Sequence, residues 1–342
     1  MKAILIRRHG DLDALEIVDL PKPSPGPGEV LVQVKAAGMN HLDTWVRRGI
    51  PGMKHPLPMI PGSDAAGVVA AIGPGGGPFK PGDRVFVSPG FSCERCAACL
   101  SGNEPLCREY GILGEHRNGT QAEFVALPAS NLMPLPEGLS FEEGAAFPLV
   151  FLTAWHMLVA RARVQPGETV LVHAAGGGVG TAAVQIARLH GARVLATAGS
   201  DGKADRLRAL GAEAVINDRV ADFFEEVRRL TGKRGADVVI ESVGQETWDR
   251  SVRSLARGGR LVTCGATSGY QGMTDIRYLF SRGLTLMGST MGSRGELLRV
   301  AALIGEQRLK PVIDRVLPFE KVAEGHRAMA ERSLFGKVVL TP

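Results

Sequence analysis

The sequence predicts an α/β protein in two parts: a β-rich first part, and a doubly wound sheet of six parallel strands. Three observations predict this. Up to about residue 140, short β-patterned runs are broken by Gly/Pro clusters. Beyond it, apolar strands alternate with helical segments, the pattern of a parallel sheet with crossover helices. The 342 residues include 44 glycines and 21 prolines, a glycine excess over the ordinary usage of roughly 7%. Two domains are expected at this length, because single cores rarely grow past about 250–300 residues.

In the first part, Val30, Val32, Val34 and Ala36 alternate with Leu31, Gln33 and Lys35 as in a strand. Turn clusters follow at Pro25–Gly28, Gly73–Pro78 and Lys80–Asp83, the last leading into a strand at Arg84–Val87. This suggests a small barrel or sandwich. Ser140 and Glu143 form a capping-box pattern that opens a largely apolar segment running to Leu158, with Pro148 interrupting it. Strands are then expected at 169–173, 193–197, 214–216, 237–240, 260–264 and 284–288. The last 50 residues are mixed and end in a strand at Lys337–Leu340, so the tail is expected to rejoin the first part. The domains are expected at 1–150, 151–289 and, returning to the first, 290–342.

With 44% hydrophobic and 22% charged residues, the chain has a globular balance that excludes disorder as its main character. The net charge of +5 is spread along the chain and is too diffuse for a nucleic-acid footprint. The apolar run at Ala3–Ile6 is too short for a signal-peptide core, and nothing approaches the ~18 apolar residues of a membrane span. The cytoplasm is the expected compartment. There, clustered cysteines read as metal ligands before disulfides.

An apolar strand at Val170–His173 runs into Ala174-Ala175-Gly176-Gly177-Gly178-Val179-Gly180 and then an amphipathic helix stopped by Gly191. Strand, glycine turn and helix in that order make a dinucleotide site. Gly177 lets the backbone approach a pyrophosphate, Gly180 lets the helix pack on the strand, and Gly176, Gly178 and Val179 complete the turn. The helix start offers free N–H groups to phosphate. The fingerprint's first glycine is replaced by Ala175. The next strand ends at Ala198, where an NAD site would carry an acid for the ribose 2′-hydroxyl. Ser200 and Lys203, with Arg206, suit a 2′-phosphate instead, which favours NADP(H) over NAD(H); Asp201 as a displaced ribose acid is the alternative. Val243 and Gly265 fall at the ends of the fourth and fifth strands, where open sheets bind ligands.

Cys93, Cys96, Cys99 and Cys107 are spaced C-x2-C-x2-C-x7-C. Four thiolates on one loop can close a tetrahedral zinc site that organises the loop and does no chemistry. An iron–sulfur cluster is the alternative, without the usual Cys-Pro ending. Cys264, at the end of an apolar strand, reads as core.

Taken together, these features resemble the medium-chain dehydrogenase/reductase superfamily, the group of zinc alcohol dehydrogenases and quinone oxidoreductases. Further marks are Gly28–Val32, Ala37–Asp43, Pro61–Val69 and Gly82–Val85. The resemblance implies a GroES-like catalytic domain, a Rossmann cofactor domain, an active site in the cleft between them, and a homodimer or homotetramer. It implies a basic residue near the pyrophosphate at His41, a threonine beside the nicotinamide at Thr153, and a cofactor-reaching base at Lys337.

One departure bears on chemistry. Where the zinc alcohol dehydrogenases hold a catalytic zinc on cysteine, a His-Glu pair and another cysteine, this chain has Asn40, Ser63-Asp64 and a position near Leu149. Such a set suits zinc poorly and looks like the quinone oxidoreductases and zeta-crystallins. The expected function is therefore hydride transfer from NAD(P)H to a quinone or an α,β-unsaturated carbonyl, enoyl thioesters included, without a catalytic metal. Asn40 and Ser63 are the candidate donors to the substrate carbonyl, with Asp64 orienting them. No proton donor stands out. The alternatives are a zinc alcohol dehydrogenase with other ligands and a non-enzymatic crystallin-like or RNA-binding role, the latter opposed by the diffuse charge.

Overall fold

The computed structural model describes residues 1–342, which divide into two compact units, Met1–Leu149 with Ser293–Pro342, and Val150–Gly292. In chain order, unit 1 opens with β1 (Lys2–Leu5), β2 (Glu16–Asp19), β3 (Glu29–Gly38), α1 (His41–Arg48), β4 (Asp64–Ile72) and β5 (Arg84–Val87). There follow β6 (Gly90–Phe91), α2 (Ala97–Leu100), β7 (Gly111–Ile112), β8 (Phe124–Pro128), β9 (Leu132–Pro134) and α3 (Phe141–Ala146). After α4 (Pro148–Trp155), unit 2 runs β10 (Thr169–Val172), α5 (Gly178–Leu189), β11 (Arg193–Ala198), α6 (Ala204–Leu210), β12 (Ala214–Asn217) and α7 (Phe223–Leu230). It continues with β13 (Ala236–Glu241), α8 (Trp248–Arg253), β14 (Leu255–Thr263), α9 (Ile276–Arg282) and β15 (Thr285–Gly288). The return to unit 1 is α10 (Arg294–Gly305), β16 (Ile313–Pro318), α11 (Val322–Ala330) and β17 (Lys337–Thr341).

Unit 1 is built on a sheet in the order β16-β17-β3-β4-β5-β9, with β8 also on β3. Its core is aliphatic, from Val30, Val32 and Val34 of β3 to Val338 and Leu340 of β17. Register decides what meets at one corner of this sheet: Val339 lies opposite Gly38, and Gly38 opposite Asp64. The end of β3, the start of β4 and the start of β17 therefore converge. The capping box at Ser140 is made, with Glu143 N–H donating to Ser140 Oγ at 3.1 Å. The helix stops before Pro148, as a residue without an N–H requires.

Unit 2 is a six-stranded parallel sheet in the order β12-β11-β10-β13-β14-β15. This is the doubly wound order, with its switch point between β10 and β13. Every residue of β10 is buried, as expected of a central strand covered on both faces. Leu171, Leu195, Ile216, Val239 and Leu261 form one side of its core with Phe223 and Val227. One feature the sequence pattern does not predict is the wide π turn at His156–Arg161 that follows α4.

Candidate active site

In unit 2 the glycine turn follows β10 as expected. Gly177 caps α5, and the N–H of Gly177 closes the turn on Ala174 O at 2.9 Å. The two glycines have different neighbours. A β-carbon on Gly180 would lie 2.5 Å from Ala175 Cα and 2.6 Å from Ala174 O, so only glycine lets α5 sit this close to the turn. A β-carbon on Gly177 would meet only Ala174 O, at 3.4 Å. The space beside Gly177 at a helix start is what a pyrophosphate needs. Gly176 is buried, Gly178 and Val179 are half-buried, and Ala175 is buried in the place of the missing glycine.

At the end of β11, Ala198 is buried and offers no carboxylate. Ser200 is exposed and makes no cap with its side chain, and Lys203 is half-buried. Asp201 accepts a hydrogen bond from Asn217 Nδ2 at 3.0 Å. The structure adds Arg219, after β12, whose Nε stands 3.1 Å from where a β-carbon on Gly199 would be. Its distance in sequence from the glycine turn hid it. Val243 N–H donates to Glu241 Oε1 at 2.6 Å, and Gly265 O accepts from Thr263 Oγ1 at 3.1 Å. Thr153 is buried on α4, its Oγ1 3.9 Å from Met291 Sδ. Cys264 lies just past β14 and is half-buried rather than fully in the core; burial and Glu241 push its thiol up to about 12.

In unit 1 the converging strand ends bring Asn40, Asp64 and Lys337 into one buried cluster. Lys337 Nζ donates to Asn40 Oδ1 at 2.6 Å and to Asp64 Oδ2 at 3.3 Å. Asn40 Nδ2 donates to the same Asp64 oxygen at 2.8 Å, and Leu149 N–H donates to Asp64 Oδ1 at 2.9 Å. Burial pushes the Asp64 carboxyl up and the Lys337 amine down, and their mutual attraction opposes both shifts. Lys337, expected to reach the cofactor, has its amine turned onto Asn40 and Asp64 and is 4% exposed. One expectation changes here. Ser63 is fully buried and donates its only proton to Leu113 O at 2.8 Å, so in this arrangement it has none for a substrate. Asn40 keeps a second amide proton.

Asp43 is the residue that sequence reading missed, although Asn40-x-x-Asp43 at a helix start was a visible capping pattern. Its carboxylate accepts from Asn40 N–H at 2.8 Å, Gly62 N–H at 3.2 Å and Gln121 Nε2 at 3.3 Å. Burial pushes it up to about 7. His41 is half-buried at the start of α1 with its ring against Trp45; burial, Arg332 and Arg48 lower its pKa.

The four cysteines form a separate cluster. Their sulfurs all lie within 4.8 Å of one another, with neighbouring pairs at 3.5, 3.6 and 3.9 Å. Tetrahedral zinc with Zn–S of about 2.3 Å requires sulfurs about 3.8 Å apart. Four thiols at this spacing therefore fit zinc, with no position left for a substrate. Arg294, at the start of α10, fastens the lobe through Glu94 at 2.7 Å, Glu104 at 3.6 Å and Ser130 O at 3.3 Å.

A doubly wound sheet with a glycine turn at the head of α5, joined in one chain to a β-rich unit with a four-cysteine lobe, defines a dinucleotide-dependent dehydrogenase. The comparisons agree. Residues 26–137 match the alcohol dehydrogenase GroES-like domain and residues 178–306 the zinc-binding dehydrogenase domain. Human quinone oxidoreductase (Homo sapiens) is 33% identical over 99% of this chain and 97% of its own length. A crotonyl-CoA reductase of Streptomyces avermitilis is 33% identical over 96% of this chain and 83% of its own. A solved structure of an NAD-dependent alcohol dehydrogenase is 52% identical and superposes with a TM-score of 0.96, covering 100% of both chains. The chain belongs to the medium-chain dehydrogenase/reductase superfamily and is an NAD(P)-dependent oxidoreductase.

Proposed function

We propose that the chain reduces the conjugated double bond of an α,β-unsaturated carbonyl compound, or a quinone, with NADPH preferred over NADH and without a catalytic metal. The observation that carries this reading is the Asn40–Asp64–Lys337 cluster. It offers an amide, a carboxylate and an ammonium group, with no thiolate or imidazole. The Lys337 ammonium lies against Asp64 where a metal cation would have to sit, and it repels one. Such a set is suited to holding negative charge on oxygen.

The nicotinamide, when bound, supplies the hydride. Residues Gly176–Gly180 would hold its pyrophosphate, and Val243 and Gly265 would line the sheet's carboxyl edge. The free amide proton of Asn40 donates to the substrate's carbonyl oxygen as charge moves there. Lys337, hydrogen-bonded to Asn40 Oδ1, polarises that amide and makes it a stronger donor. Conjugation spreads the charge as an enolate, and solvent returns the proton to carbon. For the 2′-phosphate, Arg219 joins Ser200 and Lys203, while Ala198 withholds the acid that NAD would use. One structural zinc on the cysteine lobe, a cytoplasmic location that keeps its thiols reduced, and a homodimer complete the reading. Ile276 and Phe280 of α9, each 72% exposed and close in sequence to edge strand β15, support the dimer. No helix of the structure is long and apolar enough to cross a membrane.

A second reading, NAD-linked alcohol oxidation, is favoured by the 52% identical alcohol dehydrogenase structure. Two measurements separate the readings: metal per chain, and cofactor oxidation with an enone, a quinone and a simple aldehyde, using each dinucleotide. One zinc, with turnover of the enone or quinone, supports the proposal. Two zincs with alcohol–aldehyde turnover overturn it. In the same assay Arg219→Ala should raise the NADPH KM about tenfold, for loss of one charged hydrogen bond, and leave the NADH KM unchanged.

A further inference from the structure

Below the glycine turn, unit 2 buries a group of polar side chains that the hydride-transfer chemistry does not use: His173, Thr197, Glu241, Thr247 and Ser251, each no more than 8% exposed. Such a group costs stability unless every member is satisfied. The short Ser251–Glu241 contact, at 2.7 Å, favours one arrangement of donors and acceptors. Ala174 N–H can only donate, and it reaches Thr197 Oγ1 at 3.2 Å. Thr197 Oγ1 lies 3.3 Å from His173 Nδ1. On the other side of the ring, His173 Nε2 is 3.0 Å from Ser251 Oγ, which donates to Glu241 Oε2 at 2.7 Å. Thr247 Oγ1 donates to the same oxygen at 2.8 Å. Glu241 Oε1 accepts the N–H groups of Val243 and Gly244 at 2.6 and 3.1 Å.

Because Ser251 spends its proton on Glu241, its oxygen must accept from His173 Nε2–H. The neutral ring then presents Nδ1 as acceptor to the Thr197 hydroxyl, whose oxygen accepts from Ala174. Every bond in the chain points toward the carboxylate. Burial keeps the imidazole below its usual range, which suits a ring with a single N–H.

The two ends of this chain are backbone. Ala174 stands at φ +48, a left-handed conformation that costs a non-glycine residue about 1 kcal/mol or more. It begins the phosphate turn. Val243–Gly244 form the turn after β13, across the sheet's switch point. We propose that His173 and Glu241 are positioning residues: one directed hydrogen-bond chain locks both backbone turns in the shape that receives the dinucleotide. The proposal rests on the glycine turn being the dinucleotide site. Neither residue touches the reacting atoms. Their effect is on cofactor affinity, by holding both turns before the ligand arrives.

The test is the tautomer of His173 together with NADPH and NADH affinities. In ¹⁵N-histidine-labelled protein, with the His173 signals assigned by their loss in His173→Gln, the wild type should carry its proton on Nε2. Glu241→Gln should reverse the chain, since its amide would donate to Ser251, and move the proton to Nδ1. Thr197→Val should raise the Kd of both dinucleotides about tenfold, for two lost hydrogen bonds. Its kcat at saturation should stay within about twofold, and Thr197→Ser should restore affinity. A wild-type proton on Nδ1, or Thr197→Val binding as tightly as wild type, overturns the proposal. A wild type that binds neither dinucleotide overturns the cofactor site as well. If His173→Gln fails to fold and leaves the signal unassigned, the affinities of Thr197→Val and Thr197→Ser still decide.

Discussion

Two substitutions of the same kind, three residues apart in one turn, should have opposite consequences. Gly180→Ala places a β-carbon 2.5, 2.6 and 2.7 Å from Ala175 Cα, Ala174 O and Ala175 C, all of them backbone atoms. Carbon contacts relax at about 3.5–4.0 Å, so α5 must retreat by about 1 Å. Overpacking of that order costs about 1–3 kcal/mol. At roughly 2–4 °C per kcal/mol for a unit of this size, Tm should fall by about 3–10 °C. Gly177→Ala adds a β-carbon with one neighbour, Ala174 O at 3.4 Å, on a backbone at φ −83 that alanine adopts freely. Its stability should stay within about 1 kcal/mol of wild type. That β-carbon would stand, however, in the open space beside the turn that is proposed to hold the pyrophosphate. The dinucleotide Kd should rise roughly 100-fold, equivalent to about 3 kcal/mol of steric conflict. Thermal unfolding and NADPH fluorescence titration of both variants make the comparison. If Gly177→Ala binds NADPH like wild type, or if both variants lose stability equally, the division of labour within the turn is wrong.

Other predictions follow from the remaining sites. Lys337→Met strands Asp64 in a buried site and frees Asn40; loss of one partner of a buried pair costs about 3–5 kcal/mol, and kcat should fall much further than KM rises, which steady-state kinetics and thermal unfolding will show. Asp43, raised to about 7 by burial, takes up a proton on folding from an unfolded value near 3.9. Its contribution to stability is thus full below about pH 4 and is lost as pH rises through about 7; wild type should lose stability between pH 5 and about pH 8 relative to Asp43→Asn, and parallel denaturation curves would refute this. Metal analysis should find one zinc per chain and none in Cys107→Ser, with a lower Tm in the variant, because binding of order 10 kcal/mol is coupled to lobe folding. Arg294→Ala, which unfastens the lobe from α10, should lower Tm by a few degrees and keep the zinc.

What was legible in the sequence was local. The turn Lys80–Asp83 before β5, the capping box at Ser140 and the strand–glycine–helix run from Val170 each depend on neighbours within a few residues. The spacing of four cysteines on one loop likewise limits what they can do. The candidate active site was readable as a set of residue types but not as an arrangement. Asn40 and Asp64 are 24 positions apart and Lys337 is 273 beyond Asp64. Only the register of β17 on β3 and of β3 on β4 brings them together, and no local pattern encodes that register. The same reason hid the inward turn of Lys337, the spent proton of Ser63, and Arg219. The His173–Glu241 chain was invisible because its members lie at the ends of three strands and on the first turns of α8, up to 78 positions apart.

The split of unit 1 by unit 2 also governs how the molecule is made. On the ribosome β3 emerges early, yet the neighbour on its β17 side is synthesised only after the whole of Val150–Gly292. Until then β8 covers Glu29–Gln33, but the Ala37–Gly38 end of β3 stays open and Asp64 lacks its lysine. The cysteine lobe has all four thiols within 15 residues and can take its metal early, but the Arg294 clasp arrives about 190 residues after Glu104. A nascent chain thus passes through a stage in which the cysteine lobe and the parallel sheet are complete while the corner that holds Asn40 and Asp64 is missing its lysine. Long-range pairing of this kind is slow and leaves sheet edges exposed. Chains released between Gly292 and Lys337 would be expected to bind dinucleotide yet aggregate through the uncovered end of β3, and to show no turnover at all.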